Sequence, residues 1–283
     1  MRNDVPRLGF ALALSTLMLG ACTPPAPADR ALAKMRMGQT DEAKSILEAD
    51  LAEHPTDLAA RKLLIRVEGF RGDLDAARAQ VDALAKALPA GDPTPWIELG
   101  HAYELAHRFE EALASYDEAA ARAPSSPAGP REGGMRAARW GEADAAKPRL
   151  EEAIKRGAND AETFHTLGLV RLKLKDYDGA AEAYQNGIKA DPTDDTNVLG
   201  LASVAVARGD AASALKAYDR LLAKNPRWAS GQLGRAWALA KLGRTTEAAA
   251  ALDRAEELGA AKAFVDKQRA DLAAAPANGA AKP

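Results

Sequence analysis

DPTPWIELGHAYELAHRFEEALASYDEAAARAP, residues 92–124, is the most informative stretch of the chain. With Pro93 counted as position 1, Trp96, Leu99, Gly100, Tyr103, Ala112, Tyr116, Ala119 and Pro124 fall at positions 4, 7, 8, 11, 20, 24, 27 and 32. Trp96, Leu99 and Tyr103 make one apolar stripe at helical spacing. The pattern returns every 34 residues. From Ala112 the step gives Ala146, Ala180, Ala214 and Ala248, and from Tyr116 it gives Leu150, Tyr184, Tyr218 and Leu252. From Pro124 it misses at Ala158, then gives Pro192, Pro226 and Ala260. Upstream the period survives with one inserted residue near Asp92: Ala77, Val81 and Pro89 form one set, and Ala43, Leu47 and Pro55 another. A fixed period of this length signals a stacked repeat architecture.

These signature residues resemble the tetratricopeptide repeat, a helix-turn-helix unit. The resemblance implies an all-α fold, a right-handed α-solenoid of about seven repeats. It also explains the residue types. Gly100 and Ala112 are small because the first helix of the unit, A, and the second, B, approach closely there. Tyr116 and Ala119 pack helix B back onto helix A, and Pro124 ends helix B. The expected units lie near 24–57, 58–91, 93–126, 127–160, 161–194, 195–228 and 229–262, within a solenoid spanning 29–262. The first has a short helix A, since Pro24, Pro25 and Pro27 occupy its start. A capping helix is expected over 263–275, with Phe264, Val265 and Leu272 covering the last repeat, followed by a disordered tail at 276–283. The unit from Pro127 is the weakest, with Pro130 where an aromatic is expected, Gly133 and Gly134 in mid-helix, and Pro148 inside helix B. It is either a flexible joint between two half-arrays or a degenerate unit held straight by its neighbours.

Composition agrees with an all-helical body. The chain has 283 residues, 47% hydrophobic and 28% charged, with only 5% aromatic. Much of the apolar content is Ala and Leu, strong helix formers. The formal net charge is −2 and no basic block occurs, which argues against nucleic acid as a partner.

The N-terminus reads as an address. Arg2 and Arg7 precede an apolar run from Leu8 to Leu19. That run suits a secretory signal and falls short of the ~20 residues that cross a bilayer. It ends Leu19-Gly20-Ala21-Cys22, which resembles the lipobox of bacterial lipoproteins. The resemblance implies cleavage after residue 21, diacylglycerol on the Cys22 sulfur and acylation of the new amino group. Several acyl chains would hold the protein firmly, where one binds only marginally. By the same resemblance, Thr23 after the cysteine favours the outer membrane, with the body facing the periplasm. Residues 22–28, rich in proline, are expected to form a tether.

No catalytic constellation is visible. The four histidines, His54, His101, His107 and His165, make no His-Glu-x-x-His pattern, and neither a P-loop nor a Gly-x-Ser-x-Gly elbow occurs. The single cysteine allows no internal disulfide and no cysteine-based zinc site. The adjacent carboxylates Glu110-Glu111, Glu151-Glu152 and Glu256-Glu257 suit solvated helix faces. We therefore expect no enzyme, no cofactor and no metal.

Function is expected on the concave face. In the family, helix A positions 2, 5, 9, 12 and 13 point inward. Here they include Lys62, Arg66, Phe70, Ile97, His101, Leu105, Arg131, Met135, Arg139, His165, Leu169, Leu172, Leu199, Val206, Leu233 and Trp237. This set is basic and mixed in the first half and apolar in the second. Trp237 is either an exposed anchor or buried under the capping helix. His101 and His165 suit hydrogen bonding better than metal ligation. The Lys/Asn carboxylate clamp of chaperone-binding relatives is not matched, since Ile97, His101, His165 and Leu169 stand at inward sites. The groove suits an extended or helical protein segment with apolar side chains. Signal, anchor and repeats together are similar to the pilotins of type IV pili and the lipoprotein of the tight-adherence pilus, which implies a scaffold that helps a secretin assemble. The alternative is an adaptor recruiting peptidoglycan hydrolases or synthases. Glycan binding would need clustered aromatics, and Phe70 and Trp237 lie far apart in the ladder.

Overall fold

The computed structural model describes residues 25–274. The signal-like run, Cys22 and the tail lie outside these. All regular structure among the described residues is helical, in fifteen helices. Fourteen of them make seven antiparallel hairpins. They are α1 (Pro27–Arg36) with α2 (Thr40–Glu53), α3 (Leu58–Arg71) with α4 (Leu74–Ala87), α5 (Thr94–Leu105) with α6 (Phe109–Arg122), and α7 (Ala128–Trp140) with α8 (Ala143–Lys155). They continue with α9 (Ala161–Lys173) and α10 (Tyr177–Ala190), α11 (Thr196–Arg208) and α12 (Ala211–Lys224), and α13 (Ala229–Lys241) and α14 (Thr245–Glu257). Each second helix also packs on the first helix of the next hairpin, so the ladder is unbroken, and α15 (Lys262–Ala274) closes its end.

The core is a row of small residues at fixed register. Ala43, Ala77, Ala112, Ala146, Ala180, Ala214 and Ala248 are all fully buried. Opposite them, at position 8 of each first helix, stand Ala31, Ile65, Gly100, Gly134, Gly168, Ala202 and Ala236, all buried. A Cβ on Gly168 would sit 2.5 Å from the ring of Tyr184, and one on Gly134 would sit 2.7 Å from Leu150 Cγ. Where glycine stands, the interhelical gap is set by what the position lacks; Ile65 of the second unit is the exception, a large side chain packed against Ala77.

In the fourth unit, degenerate in its signature, the glycines have a packing reason. A Cβ on Gly134 would press into Leu150, and one on Gly133 would meet Tyr116 Cβ at 3.0 Å. Both glycines permit close packing of α7, and α8 runs unbroken through Pro148. Two corrections concern the ends. Pro27 and Ala28, expected in the tether, open α1; proline suits a first helical turn, where its missing amide hydrogen has no partner to lose. In α15, Val265 is fully buried and Leu272 half-buried, but Phe264 is 65% exposed. Neighbouring helical residues diverge by about 100°, so Phe264 and Val265 cannot both face the last repeat.

The hairpin turns obey a rule of their own. Position 15 has a left-handed backbone in every unit: Gly38, Gly72, His107, Gly141, Lys175, Gly209 and Gly243. This conformation costs a residue with a Cβ roughly 1–2 kcal/mol. Lys175, at φ 61°, carries that strain. Lys175→Gly is expected to raise stability by about 1 kcal/mol. A denaturation midpoint unchanged or lowered in urea would contradict this.

Candidate functional site

The first helices of successive hairpins line one face of the ladder, and the expected groove residues divide there into three groups. The first is a chain of ion pairs across α3, α5 and α7. Arg66 donates to both carboxylate oxygens of Glu98, at 2.7 and 2.9 Å. His101 stands between two acids, with Nδ1 3.4 Å from Glu98 and Nε2 3.0 Å from Glu132. Arg136 donates to Glu132 at 2.7 Å and pairs with Glu104 at 3.2 Å. Arg131 extends the pattern to α9, donating to Thr163 Oγ1 at 2.8 Å and to the carboxylates of Asp160 and Glu162.

The electrostatics follow from this geometry. Burial alone would lower the His101 pKa, but hydrogen bonds to Glu132 and Glu98 outweigh it, and the imidazole is held above its usual value. Arg66, 3.3 Å from Nδ1, opposes that shift without reversing it. Glu132 is pulled down to about 2 by the His101 hydrogen bond and by Arg136, against the effect of its burial. Burial would raise Asp160, yet Arg131 and Thr163 bring it to about 2. Arg66 and Arg131, two of the basic residues anticipated from sequence, are thus neutralised by the chain's own acids, whereas Lys62 and Arg139 form no ion pair among the described residues. Glu98, Glu104, Glu132 and Arg136 escaped the sequence analysis; a signal existed, since Glu98 and Glu132 repeat at the 34-residue step.

The second group is packed away. Ile97 joins the Tyr103–Tyr116 cluster, and Leu172 joins the cluster around Tyr184. His165 lies against the Tyr184 ring, centroids 5.7 Å apart, and burial lowers its pKa, which keeps it neutral. Val206, Leu233 and Trp237 pack on the terminal cluster that contains Val265 of α15. Trp237 is therefore a half-buried part of the closing core. Leu105 and Lys62 are half-buried.

The third group is open. Phe70, Leu169 and Leu199 are exposed, Leu169 at 48%. Between α7 and α9 a cleft of about 290 Å³ is lined by Met135, Ala138, Val170 and Leu169, with Thr166, Arg139 and Lys173 at its edge. Such a cleft suits apolar side chains of a docked segment. Among the described residues there is no group of three or more His, Cys, Asp or Glu placed to hold a metal ion, and no helix long and apolar enough to cross a membrane.

Comparison with known proteins agrees with this architecture. Tetratricopeptide-repeat family models match residues 34–96, 96–128, 161–194 and 199–263, together more than half of the chain. No curated protein matches the sequence. Among solved structures, the C-terminal part of a tetratricopeptide repeat-containing protein from Cytophaga hutchinsonii is 16% identical, covering 84% of this chain and 98% of that one, with a TM-score of 0.63. YrrB, described as a tetratricopeptide protein with an unusual peptide-binding site, is 20% identical over 64% of this chain and 93% of its own, with a TM-score of 0.58. PilW, a type IV pilus biogenesis factor, is 18% identical over 71% and 92%, with a TM-score of 0.49, a likeness no greater than to arrays of other roles. At these identities the solved structures speak for the fold alone. The matched families and the seven registered hairpins lead to one conclusion: the chain belongs to the tetratricopeptide-repeat family.

Proposed function

We propose that this protein is a lipid-anchored, non-enzymatic scaffold on the periplasmic side of the outer membrane, and that its inner face holds a segment of an envelope protein. The open apolar surface around Leu169 and Leu199 carries the interaction part of this reading. Leu169, solvent-facing at the apolar cleft, offers a seat for a docked side chain. The peptide-binding site in the description of YrrB, an array of similar fold, is in keeping with it. The anchor rests on Arg2, Arg7, the apolar run and the Leu19-Gly20-Ala21-Cys22 sequence. Among partners, the secretin of a pilus machine is the first choice, on the combined resemblance of signal, lipobox and repeats to pilotins.

The anchor is tested with Cys22→Ser. In a Gram-negative host, the native chain is expected almost wholly in the membrane fraction, and the variant in the soluble fraction or as uncleaved precursor. A variant that sediments like the native chain, with its leader removed, would refute the anchor. The partner is tested by deletion, which should remove the detergent-resistant secretin multimer from gels. An unchanged multimer would exclude the pilotin role.

A further inference from the structure

We infer that the cleft between α7 and α9 selects acidic segments: an apolar side chain enters the cleft while a neighbouring carboxylate meets Arg139 and Lys173. This rests on the proposal that the inner face docks a protein segment, and adds the chemistry of that segment.

The charge pattern of the face carries the inference. Arg66, Arg131 and Arg136 are each bound to carboxylates of the chain itself, so they have little left to offer a ligand. Arg139 and Lys173 differ. They occupy the same register in consecutive units, both are exposed, and neither pairs with a carboxylate among the described residues. Lys173 Nζ donates to the Gly141 carbonyl at 2.5 Å, which uses one of its three hydrogens and fixes the charge at the mouth of the cleft. Both side chains leave the last turn of their helices, where the helix dipole favours a cation. Directly beside them lies the apolar floor of Met135, Ala138, Val170 and Leu169.

Two cations beside an apolar slot match a segment that combines both characters. Packed helices stand about 8–10 Å apart, and an extended chain advances about 3.3 Å per residue. Carboxylates flanking an apolar residue within three positions can therefore reach both cations. Nucleic acid fits poorly, since it calls for a long basic track and Arg66, Arg131 and Arg136 along α3 to α7 are tied to the chain's own carboxylates. Charge complementarity of this kind governs partner choice and association rate more than raw affinity.

The test is selection of random dodecapeptides displayed on phage against the detergent-solubilised full chain. Enriched peptides are expected to hold a large apolar residue with Asp or Glu within three positions. Their synthetic versions should bind at least tenfold more weakly to the Arg139→Glu/Lys173→Glu double variant, and more weakly as salt rises. Arg139→Gln/Lys173→Gln should give an intermediate loss, and Leu169→Ser should weaken the same peptides without altering their preference for acid. Circular dichroism melts matching the native chain establish that each variant is folded. Enrichment of basic or uncharged peptides, or acidic peptides that bind the double variant equally well, would overturn the acidic preference while leaving docking intact. Absence of any enriched peptide would sink the docking proposal and this inference with it.

Discussion

Gly69→Ala is expected to destabilise the protein by about 3 kcal/mol, at the upper end of overpacking costs. Gly69 lies in α3, where a Cβ would come within 2.5 Å of the Ala102 Cα and carbonyl oxygen in α5. Those are backbone atoms, so no side chain can rotate away, and the two helices must separate. Helix propensity alone predicts the opposite sign, because alanine in a helix interior is better than glycine by about 1 kcal/mol. For a domain of this size the loss corresponds to a melting point lower by roughly 6–12 °C. A melt followed by circular dichroism decides between the two effects. A melting point equal to or above that of the native chain would show that α3 and α5 do not pack as described.

The second large effect is expected at Glu98, which is 5% exposed and central to the ion-pair chain. Glu98→Ala removes both acceptors of Arg66 and one of the two carboxylates facing His101. Breaking such a pair leaves a partly exposed cation without its partner, at a cost of about 2 kcal/mol after solvent screening. The pH dependence gives an independent readout. The folded-state pKa of His101 is raised, so its contribution is complete below the unfolded value near 6.5 and declines as pH rises through the folded value. The carboxylates behave in the opposite way. Glu98 is lowered by His101 and Arg66 despite burial, and Glu132 sits at about 2. Their contribution is complete above the usual carboxylate range and is lost as pH falls through their folded values. The ion-pair network should therefore contribute most between about pH 5 and 6.5, its share falling toward pH 9, whereas His165, lowered by burial, acts the other way and loses its share as pH falls below about 6.5. In Glu98→Ala that alkaline decline should flatten. Parallel melting-point curves for the two proteins between pH 5 and 9 would contradict the role given to His101.

The sequence revealed the ladder because its strongest constraints are steric and periodic. The alanine row from Ala43 to Ala248 and the buried row from Ala31 to Ala236, small everywhere but Ile65, keep one spacing, broken once near Asp92. Where a residue's role depends on a neighbouring unit, the chain alone was less informative. Gly133 and Gly134 look like helix breakers until Tyr116 and Leu150 are seen against them. Glu98 and Glu132 went unnoticed because the cross-helix partners that give them their role, Arg66 and His101, lie 32 and 31 residues away. Trp237 had two equal readings until α15 supplied Val265 to the same cluster. The left-handed row from Gly38 to Gly243 emerged only from the backbone, since His107 and Lys175 interrupt its glycines. At the candidate site, the apolar half was legible in Met135, Leu169 and Leu199, whereas the neutralisation of Arg66 and Arg131 emerged only from packing.

The account's main claim, that the face built from the first helices captures a protein segment, can be met directly by site-specific photocrosslinking in the producing cell. A photoreactive residue at Leu169 is compared with one at Gln185, which is exposed on α10, a second helix of its hairpin. One discrete adduct with an envelope protein at Leu169, absent at Gln185 and lost when Arg139 and Lys173 are reversed in charge, is the result expected. Equal adducts at both positions, or none at Leu169 in cells that contain the whole envelope, would contradict it.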